Sequence, residues 1–240
     1  MEEKELVKGK IITKSQFSEK VIRLKIKNIE PVELNYIPGQ YVSLKIWDKE
    51  LVPYYIFKYY HEINAFEVAV DIGKNDNGAN YIKSIGVSDD VEYTEPQGNL
   101  LLDKNAKQIY FIAERTYVSP LISYLYHLEK TNLHPTISLF WGVDEEKQLF
   151  LVNSIYAFST SMSNFSYTIF MSEGTSSVTH RSGRVIDAVK NADFDSDATF
   201  YVCGEDKTVS EITATLKTKG VNADKILTEK LESVPYESAY

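Results

Sequence analysis

A change of periodicity close to residue 103 limits what this chain can fold into more than any other feature. Before it, short β-rich runs at 8–12, 21–26, 41–46, 54–59, 66–70 and 91–94 alternate apolar and polar residues. Turn signals separate them, notably Ile37-Pro38-Gly39-Gln40, Asn75-Asp76-Asn77-Gly78 and Pro96-Gln97-Gly98. Six short strands at such spacing predict an antiparallel β-barrel, interrupted by one helix at 79–85. After residue 103 apolar runs at 109–113, 136–141, 167–171, 199–202 and 225–228 alternate with helical segments at 119–130, 148–157, 184–191 and 208–219. Uninterrupted apolar strands joined by helices predict a five-stranded parallel sheet of the α/β type. The chain is therefore read as a barrel over 1–104 and an α/β unit over 105–240. Ser119 is the predicted N-cap of the first helix of the second half, with Pro120 at its first helical position.

Bulk properties narrow the function. A formal charge of −8 and an isoelectric point near 5.1 argue against a nucleic-acid surface, because the basic residues are scattered among acids. Cys203 is the only cysteine, so no intrachain disulfide or thiolate cluster can form. Any further redox centre must sit on a partner. The N-terminus has no apolar signal-like region and no stretch is long and apolar enough for membrane insertion, so the expected location is cytoplasmic.

The segment 109–121, IYFIAERTYVSPL, runs from a buried strand through a turn into a helix, the shape of a dinucleotide phosphate loop without its glycines. Glu114 puts a carboxylate where an anion would sit. Either Arg115 compensates for it, or nucleotide binding is weakened or lost. Other motifs are weaker. The 73–78 segment has the outer spacing of a Walker A loop but lacks the lysine and the hydroxyl residue, and a polar hairpin explains it better. His61, His127, His134 and His180 show no metal-ligand spacing, and no serine lies in a nucleophile elbow. Tyr54, Tyr55, Tyr59 and Tyr60 make either an aromatic platform or an ordinary strand whose tyrosines alternate between core and surface. Cys203 reads equally as a small buried hydrophobe. Arg181 and Arg184 suit a phosphate, a partner acid or a solvated helix start.

The order of these segments resembles the ferredoxin–NADP reductase superfamily over nearly the whole chain. Pro38-Gly39-Gln40-Tyr41-Val42 is similar to that family's PGQ-hydrophobic strand start, and Val52-Pro53-Tyr54-Tyr55 falls where the family carries R-x-Y-S. Gly78-Ala79-Asn80-Tyr81-Ile82 resembles the second flavin loop, and 113–120 matches A-G-G-T-G-x-x-P at Ala113, Thr116 and Pro120. Trp141-Gly142-Val143, Ser182-Gly183-Arg184-Val185 and Tyr201-Val202-Cys203-Gly204 look like the family's later segments. The resemblance implies a flavoprotein oxidoreductase that moves electrons between NAD(P)H, FAD and a small protein or other acceptor. It implies flavin or pyrophosphate contacts from Tyr54, Tyr55, Gly78, Ala79, Asn80 and Tyr81. It further implies that Thr116 and Gly204 border the nicotinamide, with Cys203 and Glu229 near the hydride path. The missing arginine and glycines leave an alternative, a reductase-like accessory or interaction subunit that has lost NAD(P)H binding, with or without loss of FAD.

Overall fold

The computed structural model describes residues 6–29, 33–131, 133–174 and 180–236. In the first half β1 (Leu6–Ser18), β2 (Val21–Asn28), β3 (Tyr41–Ile46), β4 (Glu50–Tyr60), β5 (Ala65–Asp71) and β6 (Asp90–Thr94) pair in the order β4-β3-β6-β1-β2-β5. Pairing of β4 with β5 closes the barrel, since the long β4 meets β3 with its first half and β5 with its second. One helix, α1 (Asn77–Ser84), lies between β5 and β6. Alternation in β2 sends Leu24 and Ile26 inward and Lys25 and Lys27 outward.

The second half is a parallel sheet with the order β10-β9-β8-β7-β11-β12. Its elements are β7 (Gln108–Glu114), α2 (Ser119–Leu128), β8 (Thr136–Val143), α3 (Val152–Ser161), β9 (Phe165–Met171), β10 (Arg181–Ser182), α4 (Val185–Asn191), β11 (Thr199–Cys203), α5 (Asp206–Thr218) and β12 (Ile226–Thr228). β7 and β11 are buried on both faces, which explains their unbroken apolar sequence. The chain then returns to the barrel, where β13 (Val234–Pro235) pairs with the start of β4.

The architecture matches the expected barrel plus α/β sheet, with a sixth parallel strand added by the two-residue β10. Local differences have physical causes. β1 runs to Ser18, past the predicted end at 12, because its polar second half pairs with β2 through two register shifts and needs no apolar alternation. α3 starts at Val152, since 146–148 forms a separate 3-10 turn closed by a Glu145 and Gln148 capping box. Ser119 is not the N-cap. A 3-10 turn over Arg115–Val118 runs directly into α2, so Val118 holds the cap position with helical torsions and Ser119 is already the first helical residue.

A shared core joins the halves. Val21, Phe57, Ala69 and Leu100 from the barrel side pack in one cluster with Leu121, Tyr124 and Leu125 of α2 and Phe111 of β7. At this seam the Gly39 amide donates to Ser123 Oγ at 2.9 Å, and the Tyr124 hydroxyl donates to the Leu100 carbonyl. Gly39 has φ +99°, and a Cβ there would overlap both the Tyr124 hydroxyl and the Leu100 oxygen. Gly39→Ala is expected to destabilise the fold by about 2–3 kcal/mol in urea unfolding. Gly220→Ala is the control for backbone strain alone: its φ is +88° but nothing lies within 4 Å of the added carbon, so its loss should be smaller.

Candidate functional site

Strand order reverses at β7. The chain leaves it toward β8, β9 and β10 on one side, while β11 and β12 fill the other. In open α/β sheets the crevice beyond the carboxyl ends of strands at such a switch point is where ligands bind. Here Glu114 ends β7 and Gly204 follows β11, and the Glu114 carboxylate packs over Gly204, 3.1 Å from where a Cβ would stand. Burial raises the Glu114 pKa, opposed by a hydrogen bond from Thr208 and the charge of Arg115.

Arg115 adopts φ +44°, the left-handed conformation that glycine takes without strain, so the turn keeps its path without its glycine. Trp141 Nε1 donates to the Arg115 carbonyl at 3.0 Å and helps hold it there. The guanidinium is already engaged: Nε and Nη2 donate to Asp144 at 2.9 and 2.6 Å, and Nη1 donates to Glu205 at 3.0 Å. Lys74, from the loop between β5 and α1, donates to the same Glu205 oxygen at 2.9 Å. The Lys74 hydrogen bond is the main reason the Glu205 pKa lies below its usual value. Burial pushes the Asp144 carboxyl upward, but the hydrogen bond and charge of Arg115 together with hydrogen bonds from Gln148 and Ser172 outweigh it, so its pKa is lowered. Of the two possibilities left open by the sequence, the geometry has Arg115 committed to internal carboxylates. What remains beside it is a cavity of about 150 Å³.

A second cavity, about 230 Å³, lies between barrel and parallel sheet. Tyr54, Tyr55, Ala79 and Thr116 line it, together with Lys74, Asp76, Tyr117 and Ser119. Gly78 lies against Tyr54, whose hydroxyl is 2.5 Å from the position of a Gly78 Cβ, so any side chain there would displace the phenol. Asp76 caps α1, accepting from the Ala79 amide at 2.7 Å. A carboxylate thus occupies the helix N-terminus that the resemblance assigns to a pyrophosphate. Asn80 and Tyr81 do not line this cavity: Asn80 is exposed, and Tyr81 packs edge-on against Trp47 at 5.7 Å. Gly204 borders a neighbouring cavity of about 440 Å³ that shares Lys74, Tyr117 and Leu231 with the first.

Cys203 and Glu229 from the second half converge with Tyr55 of the barrel. Tyr55 donates to Glu229 Oε2 at 3.3 Å, and Glu229 Oε1 accepts from the Asn99 amide at 2.8 Å. Burial raises the Glu229 pKa against these two hydrogen bonds. Cys203 is buried, and burial followed by the charge of Glu229 pushes its thiol well above the usual range. It stays protonated at neutral pH. Sequence reasoning missed Lys74, Asp144 and Glu205 as partners of the turn, and the free hydroxyl of Ser119. No local pattern marks these residues, which meet only through sheet order.

Residues 111–214 match the oxidoreductase NAD-binding domain family. The toluate 1,2-dioxygenase electron transfer component of Pseudomonas putida is 25% identical over 220 residues, covering 90% of this chain and 64% of that protein. The propane 2-monooxygenase reductase component of Rhodococcus jostii is 23% identical over 237 residues, covering 90% of this chain and 61% of that protein. The chain thus spans less than two thirds of the length of these two relatives. Among solved structures, a ferredoxin NADP+ reductase from Neisseria gonorrhoeae with bound FAD and NADP superposes with a TM-score of 0.80 at 15% identity, over 93% of this chain and 98% of that one. The cytochrome P450 reductase of Amycolatopsis gives a TM-score of 0.83 at 18% identity, over 94% and 69%. The two-part fold is thus that of these reductases, and residues 111–214 of the second half match the oxidoreductase NAD-binding domain family.

Glu114 yields a prediction with a definite sign. Its raised pKa means that the folded protein holds this proton more tightly than the unfolded chain does. Its contribution therefore favours folding below the ordinary value of 4.5 and turns against it as pH rises through the folded value. Glu114→Gln should melt higher than wild type at pH 8, and the gap should close toward pH 4 in paired thermal scans.

Proposed function

We propose that this chain is a flavoprotein of the ferredoxin-reductase type, passing electrons between a reduced nicotinamide dinucleotide, an FAD, and a partner protein or other acceptor. The observation that carries the reading is the cavity between barrel and parallel sheet, walled by Tyr54 and the Thr116 turn, in a chain with an NAD-binding-type second half. Its named relatives include electron transfer and reductase components of oxygenase systems, which supports a macromolecular electron acceptor. Among the described residues no helix is long and apolar enough to cross a membrane, and a cytoplasmic location goes with this reading.

The residues at the ring position fit a flavin. Tyr54 offers a flat apolar face, Gly78 leaves its phenol room, and the buried hydroxyl of Ser119 has no partner of its own. When bound, FAD would supply the redox chemistry, while the chain holds and orients it. In this reading Tyr54 would line the ring, Tyr55 holds Glu229 in place, and Ala79 with Gly78 frames the approach to α1. Val52 brings no charge to the pyrophosphate. Lys74, on the same cavity wall, is the cation available, shared with Glu205.

The β7 turn does not fit a dinucleotide pyrophosphate as arranged, because Glu114 fills the crevice and Arg115 is paired. Dinucleotide binding is therefore expected to be weak and to strengthen in Glu114→Gly combined with Tyr117→Gly. The same ion pairs favour a second reading, an accessory subunit of reductase fold with a closed nucleotide site. The test begins with the visible spectrum of the purified protein and an FAD titration of wild type and Tyr54→Ala. Wild type is expected to be yellow or to take up FAD, and Tyr54→Ala to bind it about tenfold more weakly, the scale of a lost aromatic contact. A colourless protein with no affinity for FAD would leave the accessory reading standing. Fast flavin reduction by NADH or NADPH in wild type would instead show that Arg115 can leave its carboxylates for a phosphate.

A further inference from the structure

Ser119 is the first residue of α2, only 1% exposed, and it lines the cavity that also contacts Tyr54, Tyr55 and Thr116. Its hydroxyl makes no hydrogen bond. A buried hydroxyl without a partner is destabilising, and such groups are rare enough to call for a cause. Helix capping is not the cause here. The cap position belongs to Val118, no side chain caps this end of the helix, and the neighbouring Ser123 is committed to the Gly39 amide and the Pro120 carbonyl. The N-terminus of a ten-residue helix and an unsatisfied hydroxyl therefore meet at one wall of the cavity.

The opposite wall has the complementary deficit. Position 55, where the R-x-Y-S pattern of the resemblance has a serine, carries a tyrosine whose phenol bonds Glu229 instead. Resting on the flavin reading above, we infer that Ser119 supplies the hydroxyl for the polar edge of the isoalloxazine ring, delivered from the α/β half instead of the barrel. The unfilled hydrogen-bonding capacity of Ser119 is then met by the ligand. Its role is to position the ring and tune its electron affinity.

The test uses the full chain as wild type, Ser119→Ala and Ser119→Thr, with FAD and riboflavin as probes, the second isolating the ring from the phosphates. Loss of a group that is unsatisfied without ligand should leave the ligand-free Ser119→Ala protein as stable as wild type or more so. The same variant should bind both flavins about tenfold more weakly, the scale of one lost hydrogen bond. Its bound flavin should show a changed midpoint potential, because flavin N5 accepts a hydrogen bond when oxidised and donates one when reduced, so the hydroxyl interacts differently with the two states. Ser119→Thr, which restores the hydroxyl, should recover affinity and potential. Opposite effects on stability and flavin affinity are what a merely structural serine would not produce. Unchanged affinity and potential in Ser119→Ala, beside a wild type that binds flavin, would overturn the inference alone. A less stable ligand-free Ser119→Ala would also overturn it, since the hydroxyl would then serve the fold. A wild type with no affinity for either flavin would overturn the flavin reading and this inference together.

Discussion

The seating of α2 against the barrel is the constraint on which the rest of the molecule depends. Ser123 and Tyr124 reach across to the Gly39 amide and the Leu100 carbonyl, and the apolar face of the helix shares a core with Val21, Phe57 and Ala69. The contact requires a left-handed glycine at 39, because the helix lies where any side chain would project. It sets the separation of barrel and sheet, and hence the width of the cavity between Tyr54 and Thr116. It also places the first turn of α2 at the cavity wall instead of burying it in either half.

On that frame, the chain fills its own anion positions with carboxylates. Asp76 occupies the N-terminus of α1, and Glu114 occupies the switch-point crevice over Gly204. The cations nearby are distributed among the same acids, Arg115 between Asp144 and Glu205, and Lys74 on Glu205. These pairs are partly exposed, so each adds little to stability. Their importance is occupancy: a phosphate arriving at the turn must displace Glu114 and outbid two carboxylates for one guanidinium. The turn meanwhile keeps a backbone that suits glycine, with Arg115 held at φ +44° at a strain on the order of 1–3 kcal/mol. The hydrogen bond from Trp141 and the two carboxylates offset that strain.

The Tyr55, Glu229 and Cys203 group follows a similar logic. Three elements distant in sequence, β4, β11 and the segment after β12, bring a phenol, a carboxylate and a thiol together. The phenol serves the carboxylate, and burial keeps the thiol protonated. A polar atom facing the cavity must then come from elsewhere, and Ser119 has one unused.

The sequence by itself determined the architecture. Alternation before residue 103 and buried strands alternating with helices after it can satisfy their apolar faces only as a barrel and a covered parallel sheet. It also determined what the turn after β7 lacks, since Glu114 and Tyr117 stand in the chain for anyone to read. Only the tertiary structure decided what replaced the missing groups. Asp144 and Glu205 reach Arg115, and Lys74 reaches Glu205, from three separate segments, and nothing in their spacing foretells the meeting. Ser119 shows the same limit more sharply. Ser-Pro at the head of an apolar segment reads as a cap, but the 3-10 turn ahead of it carries helical torsions one residue further back and frees the hydroxyl. Local propensity fixes which elements form, because each depends on neighbours a few residues away. Pairing of side chains depends on sheet order and helix seating, which arise only when the whole core is packed.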